Sequence, residues 1–181
     1  MTVVRGGRLA VGDAAVAVVA LGSAWALKAF YSRAGADDLH WILAPTARLV
    51  SMVSGVAFEL EPHHGYLSRE RCFLIAPACA GVNFLIVAFV SLCLGLVHTC
   101  SNAGSRAALV VCGAAAAYAT TLLANAARIA LALQLQAAGT VGPLTPARLH
   151  CAEGVAVYFL FLLVLYSAAA RVTGVRHGIA G

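Results

Sequence analysis

Long apolar runs broken by short polar interruptions dominate the chain, and their lengths are those of membrane helices. A hydrocarbon core about 30 Å thick is crossed by about 20 helical residues. Leu9 to Phe30 meets that length, with Asp13 and Lys28 near its ends, where charged heads can reach the interface. Cys79 to Val97 carries no charge and is the clearest span. Ala107 to Ala127, closed by Asn125 and Arg128, predicts the next, and His150 to Ala170 the last.

The segments between these runs are less regular. Leu39 to Phe58 is apolar but carries His40, Pro45, Arg48, Ser51 and Ser54. Arg48, Ser51 and Gly55 share one stripe at i, i+3 and i+7, which predicts an amphipathic helix. Such a helix either lies in the interface or crosses with its polar stripe facing the bundle, so the count of spans is four or five. Glu59 to Ala76, the longest polar stretch, reads as an extramembrane loop over the helix ends, with a short strand-like piece at Cys72 to Ile75. His98 to Arg106 reads as a polar loop, Ile129 to Ala138 as a helix too short to cross, and Gly139 to Pro146 as a loop. The expected fold class is therefore all-α: a polytopic integral membrane helical bundle forming a single domain over residues 1–181.

Composition agrees. Hydrophobic residues make up 62% of the chain and charged ones 10%, with a mean hydropathy of +0.90, whereas soluble domains carry roughly 45–50% and 25%. Arg5 and Arg8 precede the first apolar run in the manner of a signal peptide, but no small-x-small cleavage site ends it, so an uncleaved span is expected. The net charge is +5, yet eleven of the twelve basic residues are arginines scattered singly. No groove for nucleic acid is implied; the arginines read as anchors to membrane lipids.

Cys72, Cys79, Cys93, Cys100, Cys112 and Cys151 include no C-x-x-C pair, which argues against a zinc site and a thiol–disulfide relay. Cys93, Cys100 and Cys112 read as small hydrophobes, while a disulfide among Cys72, Cys79 and Cys151 stays open. His63 and His64 are adjacent, point apart, and lack a third ligand. With no dinucleotide or phosphate loop and no G-x-S-x-G motif, no metal or organic cofactor is expected.

The span from Cys79 leaves one face and the span ending near Arg128 returns to it. His150 departs again. A thiol, a guanidinium and an imidazole thus share one membrane surface whichever way the protein is oriented. Pro77 suits the first turn of a helix, which places Cys79 beside unpaired N–H groups that favour a nucleophilic thiolate. The planar fork of Arg128 can hold a carbonyl, a carboxylate or an oxyanion, with Asn125 one turn earlier to share the task. His150 can act as general base and acid, oriented by Glu153. Residue by residue, a structural cysteine, an interfacial arginine and an interfacial histidine are the plain alternatives. As a whole, a membrane thiol oxidoreductase or a non-catalytic scaffold or transport component competes with a cysteine enzyme.

The segments IAPACAGVNFLI (Ile75 to Ile86), NAARIAL (Asn125 to Leu131) and LHCAEG (Leu149 to Gly154) resemble the exosortase/archaeosortase family, most of all the compact exosortase K subfamily, over about Leu39 to Tyr166. The resemblance implies a multi-pass enzyme of the bacterial inner membrane acting at its outer face. Its partners would be secreted proteins with a C-terminal sorting tail, made of a short motif such as Pro-Glu-Pro, a transmembrane helix and a basic cluster. It further implies Cys79 as nucleophile, Arg128 as the substrate- or transition-state-binding arginine and His150 as acid/base, with Asn83 and Asn125 in support. Set against larger members the chain reads as having few N-terminal spans and no appended domain, which leaves the sorting motif open. Cysteine probes placed beside positions 79, 128 and 150 should label from one side of sealed vesicles; labelling of any one from the opposite side would dissolve the constellation.

Overall fold

The computed structural model describes residues 11–138 and 146–174, with side chains at 11–136 and 152–174. It is an all-α membrane bundle with one small sheet. In chain order come α1 (Val11–Tyr31), α2 (His40–Ser54), strands β1 (Glu59–Glu61), β2 (Gly65–Ser68) and β3 (Phe73–Ile75), a 3-10 turn at Pro77–Cys79, then α3 (Val82–Leu96), α4 (Ala103–Ala138) and α5 (Pro146–Val172). Among the described residues, four helical segments are long and apolar enough to cross a membrane: Val11–Tyr31, Pro77–Thr99, Ala103–Gln136 and Ala152–Val172.

α2 is not among them. Its 15 residues extend about 22 Å at ~1.5 Å per residue, short of the ~30 Å core. Its apolar face (Ile42, Leu43, Ala47, Val50) is buried in the main core with Leu39, while Arg48 stays exposed. The amphipathic expectation therefore holds, and the apolar face is turned onto protein. Pro45 has no N–H, so the carbonyl of Trp41, four residues earlier, loses its helical donor. The Tyr118 hydroxyl of α4 takes that place, donating to the Trp41 carbonyl at 2.7 Å while the two rings stack 5.8 Å apart. A helix defect is thus converted into the tie that holds α2 on α4.

Glu59 to Ala76 is not a plain loop but a three-stranded antiparallel meander in the order β1-β2-β3. Glu61 pairs with Gly65 across the turn, and Tyr66 pairs with Ile75. Gly65 has φ +126, and a Cβ there would run into the Ile75 carbonyl, so the turn needs glycine. The sheet is fastened to the α1–α2 connection by His63, whose Nδ1 lies 2.6 Å from Asp37 Oδ2, and to α2 by the Tyr66 hydroxyl, 3.1 Å from His40 Nδ1. Partial burial pushes the Tyr66 phenol above its ordinary pKa, with Arg48 acting in the opposite sense.

Three further boundaries differ from expectation. α4 is one continuous 36-residue helix, so Ile129–Ala138 is its extension rather than a separate element. The His98–Arg106 loop is mostly helical: a 3-10 turn covers Val97–Thr99 and α4 starts at Ala103. α5 starts at Pro146, so His150 lies inside it rather than opening it; most of the expected Gly139–Pro146 loop lies outside the described residues.

The charges of α1 do not simply reach out to the interface. Asp13 accepts from Arg106 Nε at 3.0 Å and Nη2 at 2.9 Å, and a Cβ on Gly12 would sit 2.7 Å from the guanidinium carbon. At the other end Lys28 donates to Asn83 Oδ1 at 2.7 Å and the Tyr31 hydroxyl to the Pro77 carbonyl at 3.2 Å. α1 and α4 therefore begin at one end of the bundle, and α1 ends where α3 begins. Tyr118→Phe should lower stability in mixed micelles by about 0.5–1.5 kcal/mol. In a Pro45→Ala background the same change should cost close to nothing, because the amide restored at position 45 takes up the Trp41 carbonyl. Equal costs in both backgrounds would reject the exchange of partners.

Candidate functional site

The site is assembled where the sheet hands the chain to α3. β3 ends at Ile75; Ala76 is extended, and Pro77 opens the 3-10 turn that contains Cys79. The Cys79 amide bonds the Ala76 carbonyl at 2.8 Å and the Ala80 amide that of Pro77 at 3.0 Å. Gly81 then takes the left-handed conformation, φ +72, and α3 starts at Val82. Cys79 therefore precedes the α-helix instead of lying in its first turn, and its own amide is occupied. The leading amides of α3, those of Val82, Asn83 and Phe84, meet no side-chain cap among the described residues.

Those residues line a cavity of about 140 Å³ together with Tyr31, Ala78, Gly81, Arg128 and Tyr158. Cys79 lies in sequence between the lining residues Ala78 and Gly81 and is partly buried. Its carbonyl is held by Asn125, whose Nδ2 donates to it. Asn125 is fully buried (0% exposed). Its Oδ1 accepts from the Tyr158 hydroxyl at 3.0 Å and from Arg128 Nη2 at 3.5 Å. One amide thereby joins the cysteine turn, α4 and α5.

Arg128 is 8% exposed. Its guanidinium lies 5.8 Å from the Tyr158 ring centroid, a cation–π arrangement, and Tyr158 stacks on Phe84 at 4.9 Å. α5 can come this close because Gly154 faces the arginine: a Cβ there would lie 3.4 Å from Arg128 Cδ. Glu153, beside it, is also 8% exposed, so a carboxylate and a guanidinium are both buried at this end of the bundle.

Cys79, Asn125, Arg128 and, by its backbone, Glu153 gather at one end of the bundle, where α3 starts and α1 ends. Asn125 holds the Cys79 carbonyl in place rather than reaching out for substrate. Asn83 faces Lys28 of α1. His150 lies in α5 one turn before Glu153, and its side chain falls outside the described residues. Cys72, Cys79, Cys93, Cys100 and Cys112 are free thiols, so the disulfide left open at Cys72 and Cys79 is not formed; the Cys151 side chain lies outside the described residues.

Lys28, Tyr31 and Tyr158 join the site without being among the residues the sequence singles out. Tyr158 carried a signal: it is four residues from Gly154 and so on the same helical face. Lys28, the single lysine of the chain, meets Asn83 only through a contact 55 residues away in sequence, which no local pattern reveals. Comparison of the chain with family models, curated proteins and solved structures found no match.

The geometry makes Gly81 the hinge of the cysteine turn. A Cβ there would meet Thr121 Cγ2 at 3.3 Å and Asn125 Cγ at 3.4 Å, on a backbone that side chains disfavour. Gly81→Ala should destabilise the protein by about 1–2 kcal/mol from the left-handed backbone alone, with the methyl contact adding to it. Thr121→Ser in that background should recover the contact part only. Full recovery, or no cost for Gly81→Ala, would show that the left-handed turn is not required.

Proposed function

We propose that the protein is a membrane-embedded cysteine transpeptidase or protease of exosortase type, which cleaves the C-terminal sorting tail of secreted proteins. Beyond the resemblance, one observation carries the reading. A partly buried free thiol, Cys79, belongs to the turn whose flanking residues Ala78 and Gly81 line a small cavity, and the buried Arg128, Tyr158 and the first residues of α3 line the same cavity. Thiol on one side and hydrogen-bond donors on the other is the arrangement acyl transfer needs.

In this mechanism the Cys79 thiolate attacks the carbonyl carbon of the scissile peptide bond. The C–S bond forms and the carbonyl electrons move onto oxygen, where Arg128 and the amides at the start of α3 hold the oxyanion. Collapse breaks the C–N bond; the departing amine takes a proton from His150, and a thioester remains on Cys79. An incoming amine (sorting) or water (proteolysis) then loses a proton to His150 as it attacks the thioester and releases the thiolate. Glu153 orients the histidine, Asn125 positions the cysteine turn, and Asn83 sets the mouth of the cavity with Lys28. The bacterial inner membrane, with the site on its outer face, is the location this chemistry requires if its substrates are already exported.

The deciding experiment compares wild type, Cys79→Ala and His150→Ala in cells against secreted proteins with helical C-terminal tails. A thioester adduct that needs Cys79 and turns over slowly without His150 is the expected result. Unchanged processing in Cys79→Ala would retire the enzyme in favour of a scaffold. Arg128→Lys keeps the charge but loses the fork, and should reduce turnover by about 10²–10³-fold; full activity would remove Arg128 from the oxyanion role.

A further inference from the structure

The far end of the bundle holds a second and larger cavity. It measures about 560 Å³ and opens between α3, α4 and α5, within the ~300–1,000 Å³ range of built small-molecule sites. Its walls are Leu92 and Leu96 of α3, Ala108, Cys112 and Ala116 of α4, and Leu165 and Ala169 of α5, among others. Hydroxyls stand only at its outer mouth, on Thr99, Ser105 and Thr173. Each donates its proton to a carbonyl in its own segment: Thr99 to Leu96, Ser105 to Asn102 and Thr173 to Ala169. Among the described lining residues no charged side chain occurs.

The shape follows from side-chain size. On α4 the groove face is Ala108, Cys112 and Ala116, four residues apart, and Ala168 and Ala169 face them from α5. Deeper in, bulky groups draw the same helices together: Tyr158 stacks on Phe84 and bonds Asn125. The small residues on α4 and α5 leave the space between the helices unfilled, while Tyr166 of α5 packs closely on Gly95 of α3 beside it. Ser105 to Ala116 measures about 16 Å along the helix at ~1.5 Å per residue, close to half of the ~30 Å hydrocarbon core.

That length selects the occupant. A transmembrane helix, whether of a second copy or of another protein, needs a groove across the whole core, and this one stops near mid-membrane. An acyl chain of a phospholipid in the leaflet away from the site needs half the core, apolar walls and a polar mouth. The charges suit an anionic headgroup. At this end the described acidic side chain is Asp13, already held by Arg106, whereas Arg171 is exposed.

We infer that the groove between α3, α4 and α5 is a binding site for one acyl chain of an anionic phospholipid. The inference stands apart from the chemistry at Cys79. Full-length protein in detergent, titrated with phosphatidylglycerol and weighed by native mass spectrometry, tests it. Cys112 and Ala168 are exposed in the groove, so Cys112→Trp and Ala168→Trp fill it without displacing packed side chains. Val111→Trp places the same ring on a neighbouring position of α4, 69% exposed and not part of the lining.

Wild type and Val111→Trp should each retain one lipid, and the two groove variants should bind it about tenfold more weakly, equivalent to about 1.4 kcal/mol. Equal retention in all four proteins would mean surrounding lipid only and overturn the inference, as would retention of none by wild type. A dimer of the lipid-free chain, lost in Cys112→Trp, would assign the groove to a second copy instead and equally overturn it.

Discussion

A fully buried amide, Asn125, is the interaction on which the arrangement of the site depends. In a bundle surrounded by hydrocarbon, apolar contacts do little to choose one helix arrangement over another, because lipid tails are as apolar as the side chains they would replace. Polar groups decide instead, since each must find its partner within the protein. Asn125 uses both ends: its Nδ2 on the Cys79 carbonyl, its Oδ1 under the Tyr158 hydroxyl and the Arg128 guanidinium. Burying an unpaired amide costs several kcal/mol, and these contacts form together only when the cysteine turn, α4 and α5 are all in place. Gly81 and Gly154 admit the close approaches that this junction demands.

The same logic accounts for α1. Its buried residues, Val16 and Ala20, pack on Cys93 and Val97 of the α3 segment. Polar contacts near each end set its register: Asp13 with Arg106 of α4 at one, and at the other Lys28 with Asn83 of α3 and the Tyr31 hydroxyl with the Pro77 carbonyl. A charge within a span costs about 2.5–3.5 kcal/mol on insertion scales, and pairing inside the protein offsets part of that. The pairs also fix the direction of α1, since Asp13 and Lys28 can each be satisfied at one end only. The contact that locates the helix also brings a lysine to the edge of the cavity.

The membrane character and the helical spans were legible in the sequence because uninterrupted apolar length is a strong local signal. Where the reading broke, a charge or a short element was responsible. Arg128 looked like the end of a span, yet nothing between Gly113 and Gly139 breaks a helix; the charge is absorbed by Asn125 and Tyr158, so α4 runs on. Strands of three or four residues are too short for alternation to register. Pro77 correctly announced a helical turn at Cys79, but Gly81 interrupts it, so the cysteine stands in a separate 3-10 turn. Lys28 and Tyr31 became visible only once α1 and α3 were side by side.

One asymmetry organises the bundle along its length. Near the site, large aromatic and polar side chains from α3, α4 and α5 (Phe84, Asn125, Arg128, Tyr158) interlock, and their hydrogen bonds tolerate little displacement. Toward the other end α4 and α5 present alanines and a cysteine to the space between them and leave it unfilled. There the Tyr166 hydroxyl on the Gly95 carbonyl, at 3.4 Å, is a weak tie between α3 and α5. A groove filled from the surrounding leaflet supplies the apolar contacts that the small side chains leave unmade, and so bears on how firmly α5 is seated against α3. Because α5 also carries Glu153 and Tyr158, its seating reaches the site through the helix itself.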